Sequence, residues 1–561
     1  MQKRLITSAL PYINGLPHLG HVVGCLLPSD VYARFSRAIG YSVLYICGTD
    51  EHGTASEISA QKANSNINDY CLNFHNQHKE IYQGFNFSFD YFGRSSSDAS
   101  KEIVYRIFEH LDTNGFIIEK TMKQVFSIDD NMFLADRYIY GTCPHCGYEK
   151  ARGDQCEQCT KVLEPTDLIN AKSAVSNSSN LEVRETKHLF LDLPKAEPLL
   201  KEWLKTKAGV WSDIAFSIAQ KWLKEGLQER CITRDLKWGF PVPREGFENK
   251  VFYVWFDAPI GYIGITKEWA EKTGNRWEDW WLDAKDIKYA QFMGKDNVPY
   301  HSISFPATLL GTNENWTKVD VLKGMSYLNF EGGKFSKSSN RGVFAKDSLG
   351  EFPADYWRYW LMSNAPESSD AEFTFDGFAS VVNKDLNGVL GNFASRVLKM
   401  TASKLSPEVP EISELLDVDK ELITTLQTKV DNYINFMEKC EIRKAMAELR
   451  AIWVEGNNYI STTEPWAVIK TDEARAKTIL NLCINLIRIF AIVSSPIIPD
   501  TSKKMLTMLN LNEEYNLKDF DVKTEISHLK PAHKFEVGDP LFERISDERV
   551  TELKEKYGAN K

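Results

Sequence analysis

The sequence lacks the long apolar run that an exported or membrane-spanning protein needs. Its first residues, MQKRLITSALPYING, contain only a short apolar stretch before Pro11 interrupts it, which predicts no signal peptide. The most apolar segment begins at Ile479, and Asn481, Asn485 and Arg488 interrupt it before it ends in prolines. A membrane span needs about 20 mostly apolar residues. We therefore predict a buried helix here, no membrane partner and a cytoplasmic protein.

The chain also lacks an excess of positive charge. Its 67 lysines and arginines are outnumbered by 77 aspartates and glutamates, which gives a formal net charge of −10. This balance favours solubility and argues against wholesale binding of polyanions, although a local basic face can still form. The 43% of hydrophobic residues are typical of a globular protein. A chain of 561 residues is too long for one core, so about two to four domains are expected.

Cysteine is scarce outside one short stretch. Six of the ten cysteines are scattered singly, as expected of small buried hydrophobic residues. The other four form two Cys-x2-Cys hooks in CPHCGYEKARGDQCEQC, and two such hooks can surround a zinc ion with four thiolates. Disulfides are the alternative, but they suit poorly a chain with six other thiols and no export signal. We predict one structural zinc ion with the ligands Cys143, Cys146, Cys156 and Cys159.

Alternating strand and helix patterns predict an α/β fold. Short β-rich runs at 3–9 and 42–50 flank a segment with apolar residues at helical spacing, which is a βαβ unit of a doubly wound parallel sheet. Strand-like runs return at 250–259 and 287–294, so an insertion is predicted to split the sheet. From about residue 380 onward, long amphipathic segments without strand signals predict a helix bundle with one more helix at its end.

These patterns divide the chain into five predicted parts. The insertion carries the cysteine hooks, and the helix bundle follows the second half of the sheet. In chain order we predict the first half of a Rossmann-type domain at 1–114, a connective insertion at 115–235 with its zinc knuckle at 143–159, the second half of the Rossmann-type domain at 236–325, a region with a Gly- and Ser-rich loop at 326–380, and the helical domain with its last helix at 381–561.

Two short motifs favour a phosphate site. GLPHLGH, with His18 and His21, lies at a predicted strand-to-helix turn, where backbone N–H groups attract anions. It has no GxGxxG pattern and no carboxylate within it, which weakens a dinucleotide or metal interpretation. KFSKS places Lys334 and Lys337 in a loop that alone would be a solvated surface loop. Paired with the histidine turn, its two ammonium groups could close over phosphates.

The HLGH and KFSKS stretches resemble the signature motifs of class I aminoacyl-tRNA synthetases. ALPYINGLPHLGH, YVWFDAPIGY and GKDNVPYHS resemble the methionyl-tRNA synthetase family among them, and the resemblance covers almost the whole chain. It implies that the protein activates L-methionine with ATP and Mg²⁺, releases pyrophosphate, and passes methionine to the 3′ end of initiator and elongator tRNA. It also implies that the KFSKS region contacts the tRNA stem and that the helical domain binds the anticodon. The chain ends after the bundle, without the appended dimerisation domain of some relatives, so a monomer is expected.

The resemblance assigns two groups of residues to the catalytic region. The first group would contact ATP, and its histidines and lysines would stabilise the transition state: His18, Gly20, His21, Lys334, Ser336 and Lys337. The second group would form the methionine pocket: Leu10, Tyr12, Asp50, Trp255, Ala258, Pro259, Tyr262 and His301. Asp50 would accept the α-amino group and Arg234 would pair with Asp50. Aromatic walls suit a polarizable thioether, although spacing alone favours core packing for Trp255 and Tyr262.

A third group would read the anticodon. The resemblance assigns this role to Asn392, Arg396, Pro465 and Trp466, all in the helical region. An exposed tryptophan beside arginine and asparagine could stack on an unpaired base and bind its edge. Taken singly, each of these residues could instead serve packing or local hydrogen bonding. Affinity for tRNA should fall with salt, because an acidic protein must meet it through a local basic face.

Three other functions compete with this interpretation. A synthetase for another apolar amino acid is the nearest, although the insertion is short for the large editing domain of the isoleucine, valine and leucine enzymes. A nucleotidyltransferase that never meets tRNA would leave the helical domain unexplained. A non-enzymatic zinc-knuckle RNA-binding protein would leave HLGH, GTDEHG and KFSKS without a purpose.

Overall fold

The protein is described from a computed structural model. The described residues are 2–13, 15–134, 138–153, 156, 158–159, 161, 163–335 and 341–558. The strands are β1 (Lys3–Ser8), β2 (Ser42–Thr49), β3 (Tyr91–Arg94), β4 (Ile117–Ser127), β5 (Met132–Phe133), β6 (Ile139–Thr142), β7 (Ala151–Arg152), β8 (Ile169–Ser173), β9 (Leu181–Leu191), β10 (Arg230–Cys231), β11 (Thr233–Arg234), β12 (Val251–Phe252), β13 (Ile287–Gly294), β14 (Val321–Met325), β15 (Leu328–Phe330), β16 (Gly333–Lys334) and β17 (Ala371–Phe373).

The α-helices alternate with these strands at first and then dominate. They are α1 (Leu19–His21), α2 (Leu27–Ala38), α3 (Thr54–Lys62), α4 (Ile67–Gly84), α5 (Asp98–Thr113), α6 (Leu193–Lys205), α7 (Asp213–Glu225), α8 (Val254–Thr273), α9 (Glu278–Trp281), α10 (Phe305–Gly311), α11 (Ala345–Glu351), α12 (Ala354–Ser363), α13 (Phe375–Val381), α14 (Asn392–Lys404), α15 (Asp417–Glu438), α16 (Ile442–Thr463), α17 (Pro465–Val468), α18 (Glu473–Ser494), α19 (Pro499–Met508), α20 (Val522–Glu525) and α21 (Asp547–Tyr557). Segments of π-helix precede α2, α10 and α14, and a 3₁₀ turn lies at Pro165–Asp167.

The central sheet is parallel throughout and has the order β14-β13-β1-β2-β3. The chain moves outward from β1 in one direction through β2 and β3, and later returns to the other side of β1 with β13 and β14. Alternate residues of β1 enter different cores, Leu5 on one face of the sheet and Ile6 on the other. A parallel sheet covered on both faces is the predicted doubly wound fold, and the strand order reverses beside β1, where such sheets bind ligands.

One strand prediction is wrong. The run 250–259 was expected to be a strand, but only β12 at its start is extended, and α8 begins at Val254. Most of α8 is buried, so its sequence is apolar on nearly all sides. A continuous apolar run carries no periodicity that separates a buried strand from a buried helix, which explains the error.

The insertion is built on a long antiparallel ribbon. β4 pairs with β9 along its whole length, from Ile117 opposite Leu191 to Ser127 opposite Leu181. The cysteine hooks lie on a separate three-stranded sheet with the order β7-β6-β8. This sheet has a small core of its own, which includes Tyr138, Cys143 and Cys156.

The helical region shares a core with one face of the central sheet. This core runs from α2 through α12 into α15, α16 and α18. Among the described residues one helix, Glu473–Ser494, is long and apolar enough to cross a membrane by length and composition alone, but 94% of its apolar window is buried inside the protein. The prediction of a buried helix at this segment is confirmed.

A buried arginine joins the sheet to the helical region. The Arg358 guanidinium on α12 donates to the Asp30 carboxylate of α2 at 2.7 Å and to the backbone oxygens of Phe85, Pro496 and Ile497 at 2.7 to 3.0 Å. Both charged side chains are fully buried. Burial alone would raise the pKa of Asp30, but the charges of Arg358 and Arg34 lower it below its usual value. One side chain therefore fixes α2, the end of α4 and the turn before α19 relative to one another.

Replacing this arginine should destabilise the fold. Arg358→Met leaves the buried Asp30 carboxylate with Arg34 as its remaining charge partner and leaves three buried backbone oxygens without their donor. Removing one member of a buried pair costs about 3–5 kcal/mol. The midpoint of urea unfolding, followed by tryptophan fluorescence, should fall accordingly. Arg276→Met is the matched control, since the Arg276 side chain is 73% exposed and pairs loosely with Asp279 at 3.7 Å. An unfolding midpoint in Arg358→Met as close to wild type as that of the control would contradict this account.

Candidate active site

The loops that follow β1 and β2 are fastened to each other beyond the sheet. The backbone N–H of Asp50 donates to the Pro11 oxygen at 2.9 Å, and the N–H of Ile13 donates to the Asp50 oxygen at 3.1 Å. These bonds continue the pairing of two adjacent parallel strands by one more step. They bring ALPYINGLPHLGH and GTDEHG together at the carboxyl edge of the sheet, as the sequence predicted.

The two histidines of the HLGH turn hold each other in place. His18 caps α1, where its Nδ1 accepts the N–H of Gly20 at 3.1 Å, and His21 Nδ1 accepts the N–H of His18 at 3.1 Å. Because Nδ1 accepts in both rings, the neutral tautomer carries its proton on Nε2. A Cβ at Gly20 would lie 2.8 Å from the His18 ring, so any other residue there would force this ring out of its position. The turn therefore presents two oriented imidazoles.

A cavity of about 400 Å³ opens beside this turn. His21 is among its lining residues, and so is every residue predicted for the methionine pocket: Leu10, Tyr12, Asp50, Trp255, Ala258, Pro259, Tyr262 and His301. These residues come from the loops after β1 and β2, from the first two turns of α8 and from the π-helical turn before α10. Residues far apart in the chain thus surround one small space.

One wall of the cavity is aromatic and uncharged. Trp255 stacks on Tyr300 with ring centroids 3.6 Å apart, and the Tyr262 hydroxyl lies 3.0 Å from His301 Nε2. His301 Nδ1 lies 2.9 Å from the backbone oxygen of Asn297, so Nδ1 must donate and Nε2 accepts from the tyrosine. Burial lowers the pKa of His301 to about 4. This wall is therefore neutral at physiological pH.

The opposite side of the cavity holds a carboxylate without a partner. Asp50 is 8% exposed, and its Oδ1 is buried with no hydrogen-bond donor among the residues that the structure describes. Burial, followed by the nearby charges of Asp257 and Glu51, raises the pKa of Asp50 well above its usual value. Neighbouring Glu51 differs, because Arg94 and Ser96 hold its carboxylate at 2.5 to 2.8 Å. Within the described part of the chain, Asp50 therefore differs from Glu51 in having one buried carboxyl oxygen that is unpaired.

Sequence reasoning missed several contacts around this site. His52 Nδ1 lies 2.5 Å from the Asp257 carboxylate, and both residues are buried. The Trp255–Tyr300 stack was also missed. The consecutive ionisable residues of GTDEHG were the one available signal for the His52 pair. Arg234 lies on β11 with its guanidinium 3.6 Å from the centroid of the Tyr253 ring, and its pairing with Asp50 remains a prediction.

The KFSKS segment is only partly described. Lys334 lies on β16, which pairs with β15, whereas Ser336 and Lys337 lie outside the described residues. Phe335, which lies between Lys334 and Ser336 in the motif, stacks on the His18 ring with ring centroids 4.7 Å apart. The two signature motifs therefore meet through a contact that the sequence did not predict.

The four cysteines of the hooks form a compact cluster. Their Sγ atoms all lie within 4.8 Å of one another, with 3.8 Å between Cys143 and Cys159 and 3.6 Å between Cys146 and Cys156. A tetrahedral zinc–thiolate site places its sulfurs about 3.8 Å apart, so the cluster fits zinc. All ten cysteines are free, which removes the disulfide alternative. Four thiolates fill the coordination sphere, as in a structural site.

The residues predicted to read the anticodon lie on α14 and at the start of α17. The Arg396 guanidinium lies 4.2 Å from the centroid of the Trp466 ring. Asn392 is exposed one helical turn before Arg396, on the same face of α14. Pro465 is buried as the first residue of α17, and Trp466 is partly buried against the core. A half-exposed aromatic ring with a cation and an amide beside it can stack on a base.

Known proteins match the chain over its full length. The family of class I tRNA synthetases (M) matches residues 4–398, and the anticodon binding domain of methionyl tRNA ligase matches residues 409–561. The chain belongs to the class I methionyl-tRNA synthetase family. This membership confirms the predicted family and fold class, and it confirms an ATP-dependent ligase of methionine and tRNA as the function. It removes the three competing functions, including a zinc-knuckle protein without enzymatic activity.

Individual relatives agree with this assignment. Methionine–tRNA ligase 1 of Acaryochloris marina is 49% identical over 554 residues and covers 99% of both chains. The methionine–tRNA ligase of Cereibacter sphaeroides strain KD131 is 50% identical over 570 residues with the same coverage. The Mycobacterium tuberculosis methionyl-tRNA synthetase, solved in complex with methionyl-adenylate, shares the fold with a TM-score of 0.79 at 22% identity, over 97% of this chain and 100% of that chain.

Zinc content tests the cysteine cluster directly. We expect the purified protein to contain one equivalent of zinc, and Cys156→Ser to contain much less, because the variant removes one of four thiolate ligands from a buried position. Cys440→Ser is the matched control, since Cys440 is equally buried but lies outside the cluster. Elemental analysis after gel filtration measures both. Equal zinc in the two variants, or none in the wild type, would contradict the assignment.

Proposed function

We propose that the cavity beside the HLGH turn binds L-methionine and that Asp50 accepts its α-ammonium group. The observation that carries the proposal is the unpartnered Oδ1 of Asp50, buried in a cavity whose other lining residues, apart from Asp296, carry no acidic group. A buried carboxylate costs free energy unless a cation pairs with it. The substrate ammonium is that cation, and binding it would return the Asp50 carboxyl to its charged form.

The side chain of methionine suits the opposite wall. Thioethers interact favourably with aromatic rings, and Trp255 and Tyr262 provide two of them. Neutral His301 holds the Tyr262 hydroxyl, so no charge faces the sulfur. Leu10, Ala258 and Pro259 complete the apolar lining.

With the ammonium at Asp50, the carboxylate of methionine lies towards the HLGH turn. Its oxygen attacks the α-phosphorus of ATP, forms the mixed anhydride, and displaces pyrophosphate. His18 and His21 would donate from Nε2 to the phosphate oxygens, and glycine at position 20 lets the backbone approach them. Such positioned donors are worth about 2.7–4 kcal/mol of barrier each. Little covalent chemistry is required of the protein beyond this orientation.

The KFSKS loop would supply the remaining charge. By resemblance Lys334, Ser336 and Lys337 bind the phosphates, and the Phe335–His18 stack supports a loop that closes against the HLGH turn. Mg²⁺ would enter with ATP and neutralise charge on the leaving pyrophosphate, and no residue of this chain is assigned to it. The adenylate would then transfer methionine to the terminal adenosine of initiator and elongator tRNA. We further propose that the protein acts as a cytoplasmic monomer with one structural zinc ion.

Substrate selectivity tests the pocket. Amino-acid-dependent ATP–pyrophosphate exchange, run without tRNA, should occur with methionine and be negligible with leucine, isoleucine, valine and cysteine. The physical reason is that the proposed pocket offers aromatic rings, Trp255 and Tyr262, to the thioether and a carboxyl group, Asp50, to the ammonium. Exchange with one of the other amino acids at a comparable rate would overturn the pocket assignment. Absence of exchange in a folded, zinc-loaded sample would overturn the proposed activity itself.

Replacing Trp466 should affect the two steps of the reaction differently. Trp466→Ala should leave pyrophosphate exchange unchanged, since α17 lies outside the cavity, and should lower kcat/KM for tRNA charging about 5- to 100-fold, the equivalent of one lost base stack of about 1–3 kcal/mol. Phe436→Ala is the matched control, because Phe436 is also a partly buried ring of the helical region with a cation, Lys444, over it at 5.5 Å. Equal losses in both assays would make Trp466 a packing residue.

A further inference from the structure

A thiol outside the cavity and outside the cysteine cluster has a distinctive setting. Cys231 ends β10, which pairs antiparallel with β9 so that Cys231 lies opposite Phe190. Side chains two residues apart on a strand share a face, so His188 is the diagonal neighbour of Cys231 on the same face of this sheet. Cys231 is partly exposed, whereas His188 is fully buried. A partly exposed cysteine therefore lies beside a buried imidazole from the adjacent strand.

A carboxylate and an ammonium group stand behind this imidazole. His188 Nε2 lies 3.0 Å from Asp235 Oδ2, and His188 Nδ1 lies 2.9 Å from the Thr233 hydroxyl. Lys250 Nζ contacts the other oxygen of Asp235 at 2.5 Å. The Cys231 thiol contacts His188 and also donates to the backbone oxygen of Thr233 at 3.4 Å. A thiol beside an imidazole that contacts a carboxylate is a combination that can activate a cysteine.

The surrounding charges favour the thiolate. Burial would raise the pKa of Cys231, but the hydrogen bond to His188 and the charge of Arg234 lower it below the usual value of a thiol. Burial would lower the pKa of His188, but Asp235 and Cys231 raise it. Arg230 adds positive charge on the same strand, while Glu229 is already paired with Lys120 at 2.9 Å. Five other thiols differ from Cys231, because burial raises their pKa: Cys25, Cys47, Cys71, Cys440 and Cys483.

Both neighbours of Cys231 in the chain contact the wall of the cavity. The Arg230 guanidinium lies 4.7 Å from the centroid of the Tyr300 ring, and Tyr300 stacks on Trp255, which lines the cavity. The backbone oxygen of Ile232 accepts the N–H of Tyr253 at 2.9 Å, one residue before α8 begins. Arg230 and Ile232 contact this wall from the same short segment as Cys231, and the Cys231 side chain is only partly exposed. A group attached to Cys231 would therefore shift this segment and, with it, the contacts of Arg230 and Ile232.

We propose that Cys231 is a site of reversible S-thiolation by low-molecular-weight disulfides, and that the attached group weakens binding in the cavity. The Cys231 thiolate attacks one sulfur of the disulfide, forming a new S–S bond as the old one breaks. The departing thiolate carries the bonding electron pair and takes a proton from solvent. One disulfide replaces another, so no further oxidant is consumed. His188 holds the proton that the thiol has released and pairs with the thiolate until attack.

Reactivity is tested on the wild-type, zinc-loaded protein without any functional assay. Incubation with glutathione disulfide at pH 7 should add one tripeptide by intact mass, and peptide mapping should place it on Cys231. The rate of alkylation at Cys231 by iodoacetamide, followed by peptide mass spectrometry, should be half-maximal below pH 8.5, the usual value for a thiol. An adduct confined to other cysteines, or an alkylation midpoint at or above that pH, would overturn the proposal.

Variants test whether the reactivity of Cys231 depends on His188 or on solvent exposure alone. Cys231→Ser should take up no glutathione, whereas Cys440→Ser should take up as much as wild type. His188→Gln should slow the alkylation of Cys231 at pH 7 by at least fivefold and move its midpoint to higher pH, because the imidazolium that stabilises the thiolate is gone. An unchanged pH profile in a folded His188→Gln protein would remove His188 from the account. If the His188→Gln protein fails to fold, the pH dependence of Cys231 alkylation in the wild type still tests whether the thiol is activated.

The effect on the cavity rests on the proposed function and has its own test. Methionine binding, measured by isothermal titration calorimetry, should be at least fivefold weaker in the thiolated protein, should return to normal after reduction, and should not change when Cys231→Ser is treated identically. A stable adduct on Cys231 with unaltered methionine affinity would overturn the coupling. Failure of the unmodified protein to bind methionine would instead overturn the proposed function and leave the reactivity result standing.

Discussion

The site depends on two backbone hydrogen bonds that extend the β1–β2 pairing past the last residue of each strand. The Asp50 N–H reaches the Pro11 oxygen and the Ile13 N–H reaches the Asp50 oxygen, so the loops cannot separate without breaking the end of the central sheet. These two hydrogen bonds set the relative positions of the other parts of the site. The HLGH turn starts from one loop, Asp50 belongs to the other, and the cavity lies between them and α8. A rigid parallel sheet thus fixes the distance between the group that would hold the substrate ammonium and the groups that would hold the phosphates.

The buried carboxyl groups of this protein differ in whether an arginine pairs with them. Asp30 and Glu51 are both buried, and each is held by an arginine, Arg358 or Arg94, with further donors around it. Such pairs hold secondary-structure elements together, and the negative charge of each carboxylate is already paired with a cation. Among the described residues, Asp50 has a buried oxygen with no donor, which is unfavourable unless a cation binds there. Glu51 and Asp50 are adjacent in sequence, and on the proposed function the first holds the structure together and the second holds the substrate.

Much of the fold could be predicted from local pattern. The alternation of β-rich and amphipathic runs correctly indicated β1, β2, β13 and the helical region, because burial imposes different periods on strands and helices. It failed at 250–259, where uniform burial removes the period. The residues of the cavity came from resemblance, since no pattern reveals that α8 and the loop after β1 meet. Contacts such as Phe335 on His18, or Asp257 with His52, join distant segments and leave no trace in spacing or composition.

The central claim is that Asp50 receives the ammonium of methionine in this cavity. A structure of the protein with methionine bound, without ATP, tests it most directly. The account predicts the methionine nitrogen within hydrogen-bond distance of Asp50 Oδ1, the thioether against Trp255 and Tyr262, and the carboxylate on the side of His21. Methionine bound in the cavity with its nitrogen on another group, or bound elsewhere on the protein, would contradict it.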